Sequence, residues 1–315
     1  MPFPDIDPVL IHIGPFAIRW YALGYVVGIL VGWRYMTQMV KAPSLWPLRG
    51  PAATPLQIDD LILWITLGII VGGRLGYVLF YTPTLLWTEP LRLFKTWEGG
   101  MSFHGGVLGV LAATLLFARF SKLDVLRIGD LITAAAPVGI FLVRIANFIN
   151  GELWGRPTSL PWGVVFPDAG MLPRHPSQIY EALLEGLLLF IVLRIATHRA
   201  GLLNRRGVVA GMFFLGYGLC RILLENVREP DSYLPDYPLG LTMGMMLSIP
   251  MVVGGAWLIW RGMAEPLPEL ASGPEAALEQ DPGPEPAPEP EASSETVPVD
   301  TAPPETTETK TDGPA

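Results

Sequence analysis

Apolar residues along this 315-residue chain gather into seven stretches separated by polar connections. They cover about 18–37, 59–81, 104–120, 129–150, 178–197, 207–226 and 241–261. Each is near the ~20 residues with which an α-helix crosses a bilayer. The third is short and opens on glycines, so it is expected to tilt or to begin as a re-entrant piece. The pattern predicts an all-α polytopic membrane protein of about seven transmembrane helices.

Composition agrees. The chain is 50% hydrophobic and 16% charged, where soluble domains average about 25% charged. Its mean hydropathy is +0.41. The net charge of −8 hides an asymmetry. Residues 264–315 hold 13 acidic groups and one basic group, Lys310, whereas residues 1–263 hold 20 basic and 16 acidic. A mildly basic membrane domain, 1–263, is thus followed by an acidic Pro/Glu/Thr-rich tail, 264–315. The tail lacks the apolar surface to offset chain entropy and is expected to be disordered.

Basic residues orient the spans. The first, third and fifth connections carry Arg34, Lys41, Arg49, Arg119, Lys122, Arg127, Arg194, Arg199, Arg205 and Arg206, and Arg261 follows the last span. The opposite side carries Arg19, Arg92, Lys95, Arg156, Arg174 and Arg228. The positive-inside rule makes the richer side cytoplasmic. The N-terminus is then outside and the C-terminal tail cytoplasmic. Residues 1–17 hold Asp5 and Asp7 but no Lys or Arg. That is unlike the basic start of a cleavable signal peptide, so the first stretch is expected to remain as a membrane helix. Trp20, Trp87, Trp97, Trp154 and Trp162 fit an outer interfacial belt.

Three arginines lie within apolar stretches: Arg74, Arg144 and Arg221. A charge at that depth costs roughly 2.5–3.5 kcal/mol on insertion scales, so it implies a partner, a water-filled cavity or a function. The orientation puts all three toward the outer half, with Tyr77, Asn147, Asn150, Glu152, Glu225 and Arg228. Tyr21 and His104 open the first and third helices near the same surface. Tyr217, Arg221 and Glu225 recur four residues apart and share one stripe of the sixth helix. An Arg–Glu pair that merely locks two helices is the plain alternative for any one of these groups. Three Arg, two Asn, a His and a Glu at one depth instead suggest a site, and excess positive charge there suits an anion such as a phosphate. His104 is a candidate general base. His175 is expected to anchor a loop, and Cys220, the one cysteine, to be core.

Gly24, Gly28 and Gly32, Gly72 and Gly73, and Gly105, Gly106 and Gly109 have the spacing of close helix packing. Neither GGR nor HGGVLGV follows a strand, so no dinucleotide site is implied. No Cys/His ligand set for a metal is visible.

Several longer motifs resemble one family. Arg144-Ile-Ala-Asn147-Phe-Ile-Asn150-Gly-Glu152-Leu-Trp-Gly155 is similar to the signature of prolipoprotein diacylglyceryl transferases. So are Gly99-Gly-Met-Ser-Phe-His104-Gly-Gly106, Leu172-Pro-Arg-His-Pro-Ser-Gln-Ile-Tyr-Glu181, and Gly216-Tyr217 through Arg221 to Glu225. Trp20-Tyr21 and Gly72-Gly-Arg-Leu-Gly-Tyr77 also match, and the blocks follow family order over roughly 5–262. Val143 departs from the glycine usual before the signature arginine, and the stretch from Arg156 to Leu172 is short for the family.

The resemblance implies a multi-pass enzyme of the bacterial inner membrane whose catalytic domain is 1–263 and whose site faces the outer leaflet. It would transfer diacylglyceryl from phosphatidylglycerol to the lipobox cysteine of a prolipoprotein signal peptide, releasing glycerol phosphate. No cofactor, metal or nucleic acid is implied. Arg144 and Arg221 would hold the phosphate, with His104 as base for the thiol. Asn147, Asn150 and Glu152 would orient the head group or Arg144, and Gly155 belongs to the same substrate-binding block. Tyr217 and Glu225 would position Arg221, and Tyr21 would bond lipid or His104. A lipid transporter using the same arginines is the rival reading, although no internal repeat supports it.

Overall fold

Each expected apolar stretch coincides with a helix, and most helix starts carry a visible signal. Helix α1 is Trp20–Val40 and α2 is Pro55–Tyr81. Thr54 caps α2 in a reciprocal box with Gln57, with proline at the first helical position. A short α3, Leu85–Thr88, follows. Ser102 caps α4, Phe103–Phe120, and Asp124 caps α5, Val125–Ile149. The fifth stretch is one rod of three parts: α6, Ser177–Glu181, a π-helical segment, Ala182–Leu188, and α7, Leu189–His198. Helix α8 is Val208–Leu224 and α9 is Met243–Ala264. The computed structural model describes residues 1–267 except 5, 15, 97, 98 and 230–240. Trp97 and the tail beyond 267 therefore lie outside the described residues.

Helices α2, α4, α5 and α9 are long and apolar enough to cross a membrane, and α8 is a shorter apolar helix. Leu63, Leu67 and Val71 on α2, Leu108 and Leu115 on α4, and Val253, Trp257 and Trp260 on α9 are exposed. Apolar surface this extensive needs lipid rather than water around it. The fold is that of an all-α polytopic membrane protein with one addition that the pattern did not predict. Val9–Ile13 and Phe16–Arg19 pair as an antiparallel hairpin, β1 and β2. The helix expected from residue 18 consequently starts at Trp20.

Helix α5 is the centre of the bundle and touches α1, α4, α6, the π segment, α7 and α8. Glycines set the closest crossings. Gly28 of α1 meets Gly139 of α5, where an added Cβ would sit 3.0 Å from the opposing Cα. Gly68 and Gly76 of α2 meet α4 so closely that added Cβ atoms would lie 2.5 Å from the Gly109 carbonyl oxygen and 2.7 Å from Gly105 Cα. Gly255 of α9 packs on the backbone of α8 at Leu215. The expectation of close helix packing holds for Gly28, Gly105 and Gly109, and Gly68, Gly76 and Gly255 do the same. The third stretch is one continuous 18-residue helix, Phe103–Phe120.

One end of the bundle is tied by charge. Glu265 bonds Arg49 and Arg206 at 2.9 and 2.7 Å, and Arg206 also reaches Asp124 at 3.1 Å. Glu265, just past α9, thus ties the end of that helix to its neighbours. Asp130, fully buried in α5, accepts from the Gly207 and Ala210 amides at 2.8 Å each and so caps α8 from a neighbouring helix.

At the other end, loop 150–176 folds back on itself and on the N-terminus. Val164 and Pro157 pair with Arg174, Gly155 pairs with Arg228, and Pro2 pairs with Val165. Phe3 packs against Phe148 and Phe166. These contacts hold the end of α5 over the ends of α6 and α8.

Candidate active site

The C-terminal end of α5, the start of the fifth rod and the C-terminal end of α8 converge on one carboxylate, Glu181. It is 0% exposed. Its Oε1 accepts from Arg221 Nη1 at 3.0 Å and from Arg228 Nη1 at 2.8 Å. Its Oε2 makes a 3.1 Å ion-pair contact with Arg144 Nε. Glu185, one turn on and also fully buried, lies 3.7 Å from Arg144 Nη2. Glu225 pairs with Arg221 Nη2 at 3.1 Å. Glu181 and Glu185 share a helix face because they are four residues apart. The π segment begins between them, a local irregularity that often marks functional positions.

The signature loop stands beside this cluster. Glu152 Oε1 accepts from Asn147 Nδ2 at 2.7 Å and from Asn150 Nδ2 at 3.3 Å. Gln178 donates to the Glu152 carbonyl and Ser177 Oγ to the Leu153 carbonyl, so α6 braces the loop directly. Leu153 takes a left-handed φ of +58°, which is uncommon for a non-glycine residue and consistent with a loop held by its surroundings. Gly155 is needed for close approach: a Cβ there would lie 2.5 Å from the Val227 carbonyl oxygen and 2.7 Å from His175 Cβ. Asn147 Oδ1, Asn150 Oδ1, Gln178 Oε1 and Glu185 Oε1 are buried without a hydrogen-bond partner among the described residues. Buried polar atoms are rarely left unpaired, so their concentration at one place sets this cluster apart from a packed apolar core.

The relatives of this sequence match it along nearly the whole described length. The family model for prolipoprotein diacylglyceryl transferase matches residues 8–261. The chain belongs to the prolipoprotein diacylglyceryl transferase family. A phosphatidylglycerol–prolipoprotein diacylglyceryl transferase of Phenylobacterium zucineum (strain HLK1) is 61% identical over 279 residues, covering 85% of this chain and 96% of the relative. One from Caulobacter vibrioides (strain NA1000 / CB15N) is 56% identical over 303 residues, covering 88% and 100%. One from Rhodospirillum rubrum is 53% identical over 256 residues, covering 81% and 92%.

The fold brings most of the expected site of this diacylglyceryl transferase family member together. Arg144, Arg221 and Glu225 share one ionic network, and Asn147 and Asn150 are hydrogen-bonded to Glu152. Tyr217 lies against Arg144 as well as within electrostatic reach of Arg221. Tyr21 bonds Tyr25 at 3.0 Å and lies within electrostatic reach of Glu152 and Arg144. His104 is exposed at the start of α4 with its ring edge-on to Phe103. Among the described residues no hydrogen bond or ion pair joins it to the arginines or to Tyr21.

Two expectations change. The expected excess of positive charge is not there, because Arg144, Arg221 and Arg228 face Glu181, Glu185 and Glu225. A guanidinium enclosed by apolar helices requires a counter-ion, and these carboxylates supply it. Arg74 stands apart from the cluster. It donates to the carbonyls of Arg92, Leu93, Gly99 and Gly100 at 2.5–3.0 Å, clamping the loop before α4. His175 is a loop anchor as expected. Its backbone pairs with Gly155 and Arg156, and its ring shares a 3.3 Å bond with the Tyr180 hydroxyl. Burial pushes its imidazole below the ordinary histidine range.

Glu181 and Glu185 are the site residues that the sequence reading missed. The signal was present as two glutamates four apart inside an apolar stretch that also lacked any basic residue before Arg194. A charge inside an apolar helix is as costly for them as for Arg144.

Proposed function

We propose that this ionic cluster is where the chain transfers diacylglyceryl from phosphatidylglycerol to the lipobox cysteine of a prolipoprotein. The product is a thioether-linked precursor, and glycerol phosphate leaves. The observation that carries the reading is the convergence of Arg144 and Arg221, from two family motifs far apart in sequence, on the buried Glu181 carboxylate beside the Asn147–Glu152 loop. All seven long helical rods are taken to cross the bilayer, with the N-terminus outside. The site then opens toward the outer leaflet of the inner membrane.

In the reaction, the cysteine sulfur bonds to the terminal glyceryl carbon of the lipid, and the bond from that carbon to the phosphate oxygen breaks. The bonding pair leaves with glycerol phosphate. The thiol proton passes to a base, for which His104 is the candidate, or to the departing phosphate. Negative charge grows on the phosphate as the bond breaks, and fixed guanidinium groups in a water-poor site stabilise that growth. The cysteine attacks as thiolate, so its proton leaves before or during the attack. Asn147, Asn150 and Glu152 orient the glycerol head group, and Tyr217 and Glu225 hold the arginines in place.

The test uses purified full-length chain, phosphatidylglycerol and a lipobox peptide, read by mass spectrometry. Thioether peptide and glycerol phosphate in equal amounts support the reading. Lipid movement across vesicles with no thioether favours a transporter. His104→Gln separates the base assignment from the rest: a full rate at every pH between about 6 and 9 removes His104 from proton transfer.

A further inference from the structure

Glu181 is arranged as a backstop for the three arginines. It is fully enclosed, whereas the side chains of Arg144, Arg221 and Arg228 keep 17%, 16% and 11% of their surface accessible. The carboxylate is therefore the enclosed centre on which three partly accessible arginine side chains meet. Its two oxygens engage Nη1 of Arg221, Nη1 of Arg228 and Nε of Arg144. Each guanidinium has five N–H donors, so donors remain on all three for a second anion. Without a shared counter-ion, three like charges at this spacing would repel and splay.

We propose that Glu181 is a positioning residue for the transfer reaction. It fixes the three guanidinium groups from the buried side and so presents their remaining N–H donors to a single phosphodiester. This rests on the reading of the cluster as the phosphate site. A carboxylate and a phosphodiester each spread one negative charge over two equivalent oxygens, so one set of forks serves both without rearrangement. The charge of Glu181 also offsets the cations. Removing it should tighten lipid binding while loosening the geometry on which the chemical step depends.

The experiment measures kcat and KM for phosphatidylglycerol with full-length wild type, Glu181→Gln and Glu181→Asp. Glutamine keeps the shape and loses the charge: KM is expected to fall about tenfold and kcat about 100-fold. Aspartate keeps the charge and shortens the reach: KM is expected at the wild-type value, with kcat lower by about tenfold. A merely structural residue would not lower KM. Glu181→Gln with wild-type kcat, or with lower kcat and an unchanged or raised KM, overturns the proposal. Should Glu181→Gln fail to accumulate, Glu181→Asp decides, because a wild-type kcat or a lowered KM in that variant overturns it too. Absence of product from wild type would instead sink the functional reading itself.

Discussion

Replacing Arg144 with lysine keeps the charge and removes the fork. In the structure the guanidinium spans two carboxylates at once, with Nε 3.1 Å from Glu181 and Nη2 3.7 Å from Glu185. Lysine has one nitrogen on a flexible stem, so it can satisfy a carboxylate or a phosphate but cannot hold both in a fixed plane. The buried carboxylates still face a cation, so insertion and folding should survive. The loss falls on the transition state, where one oriented donor to a developing oxyanion contributes about 2.7–4 kcal/mol, or roughly 10²–10³ in kcat. The assay compares kcat of Arg144→Lys and wild type at saturating phosphatidylglycerol, using protein that elutes as a single folded species from detergent. A lysine variant within about threefold of wild type would show that charge alone suffices, and the argument from guanidinium geometry would fail.

Two further outcomes follow from parts of the molecule outside the cluster. Gly68→Val places side-chain atoms where an added Cβ already lies 2.5 Å from the Gly109 carbonyl oxygen. Overpacking there should cost about 1–3 kcal/mol, seen as a lower thermal midpoint in detergent, and an unchanged midpoint would deny that α2 and α4 pack this closely. Hydrogen bonding from Arg206, with the nearby Arg206 and Arg49 charges, holds the Glu265 carboxyl below its ordinary range. A depressed carboxyl pKa stabilises the fold above the unfolded-state value of about 4.3 and loses that contribution as pH falls through the folded value. Glu265→Gln should therefore be slightly less stable than wild type at pH 7, by under about 1 kcal/mol after solvent screening. The difference should vanish in acid, and an equal gap at both pH values would contradict the assignment.

The helices were legible because lipid imposes a simple demand: about 20 apolar residues with every backbone group paired internally. The caps at Thr54, Ser102 and Asp124 sit where capping residues belong. The N-terminal hairpin was not legible, since its strands are four and five residues long and merge into the first apolar stretch. Arg144 and Arg221 stood out because charge in an apolar helix is costly. Their counter-ions were less visible, because Glu181 closes a loop motif and Glu185 precedes a long apolar run. Arg74 shows the limit of depth as a criterion. It lies toward the same end of the bundle as the cluster, yet its donors are spent on four loop carbonyls, a fact that no spacing in the sequence encodes.

In the proposed reaction Arg144 and Arg221 receive the phosphate of the lipid. A structure of the full-length chain with phosphatidylglycerol bound tests it most directly. Phosphate oxygens are expected within about 3 Å of guanidinium nitrogens of both residues, with Glu181 still bound to them. A phosphate seated elsewhere, with the Arg144–Glu181–Arg221 network closed to it, would contradict that role.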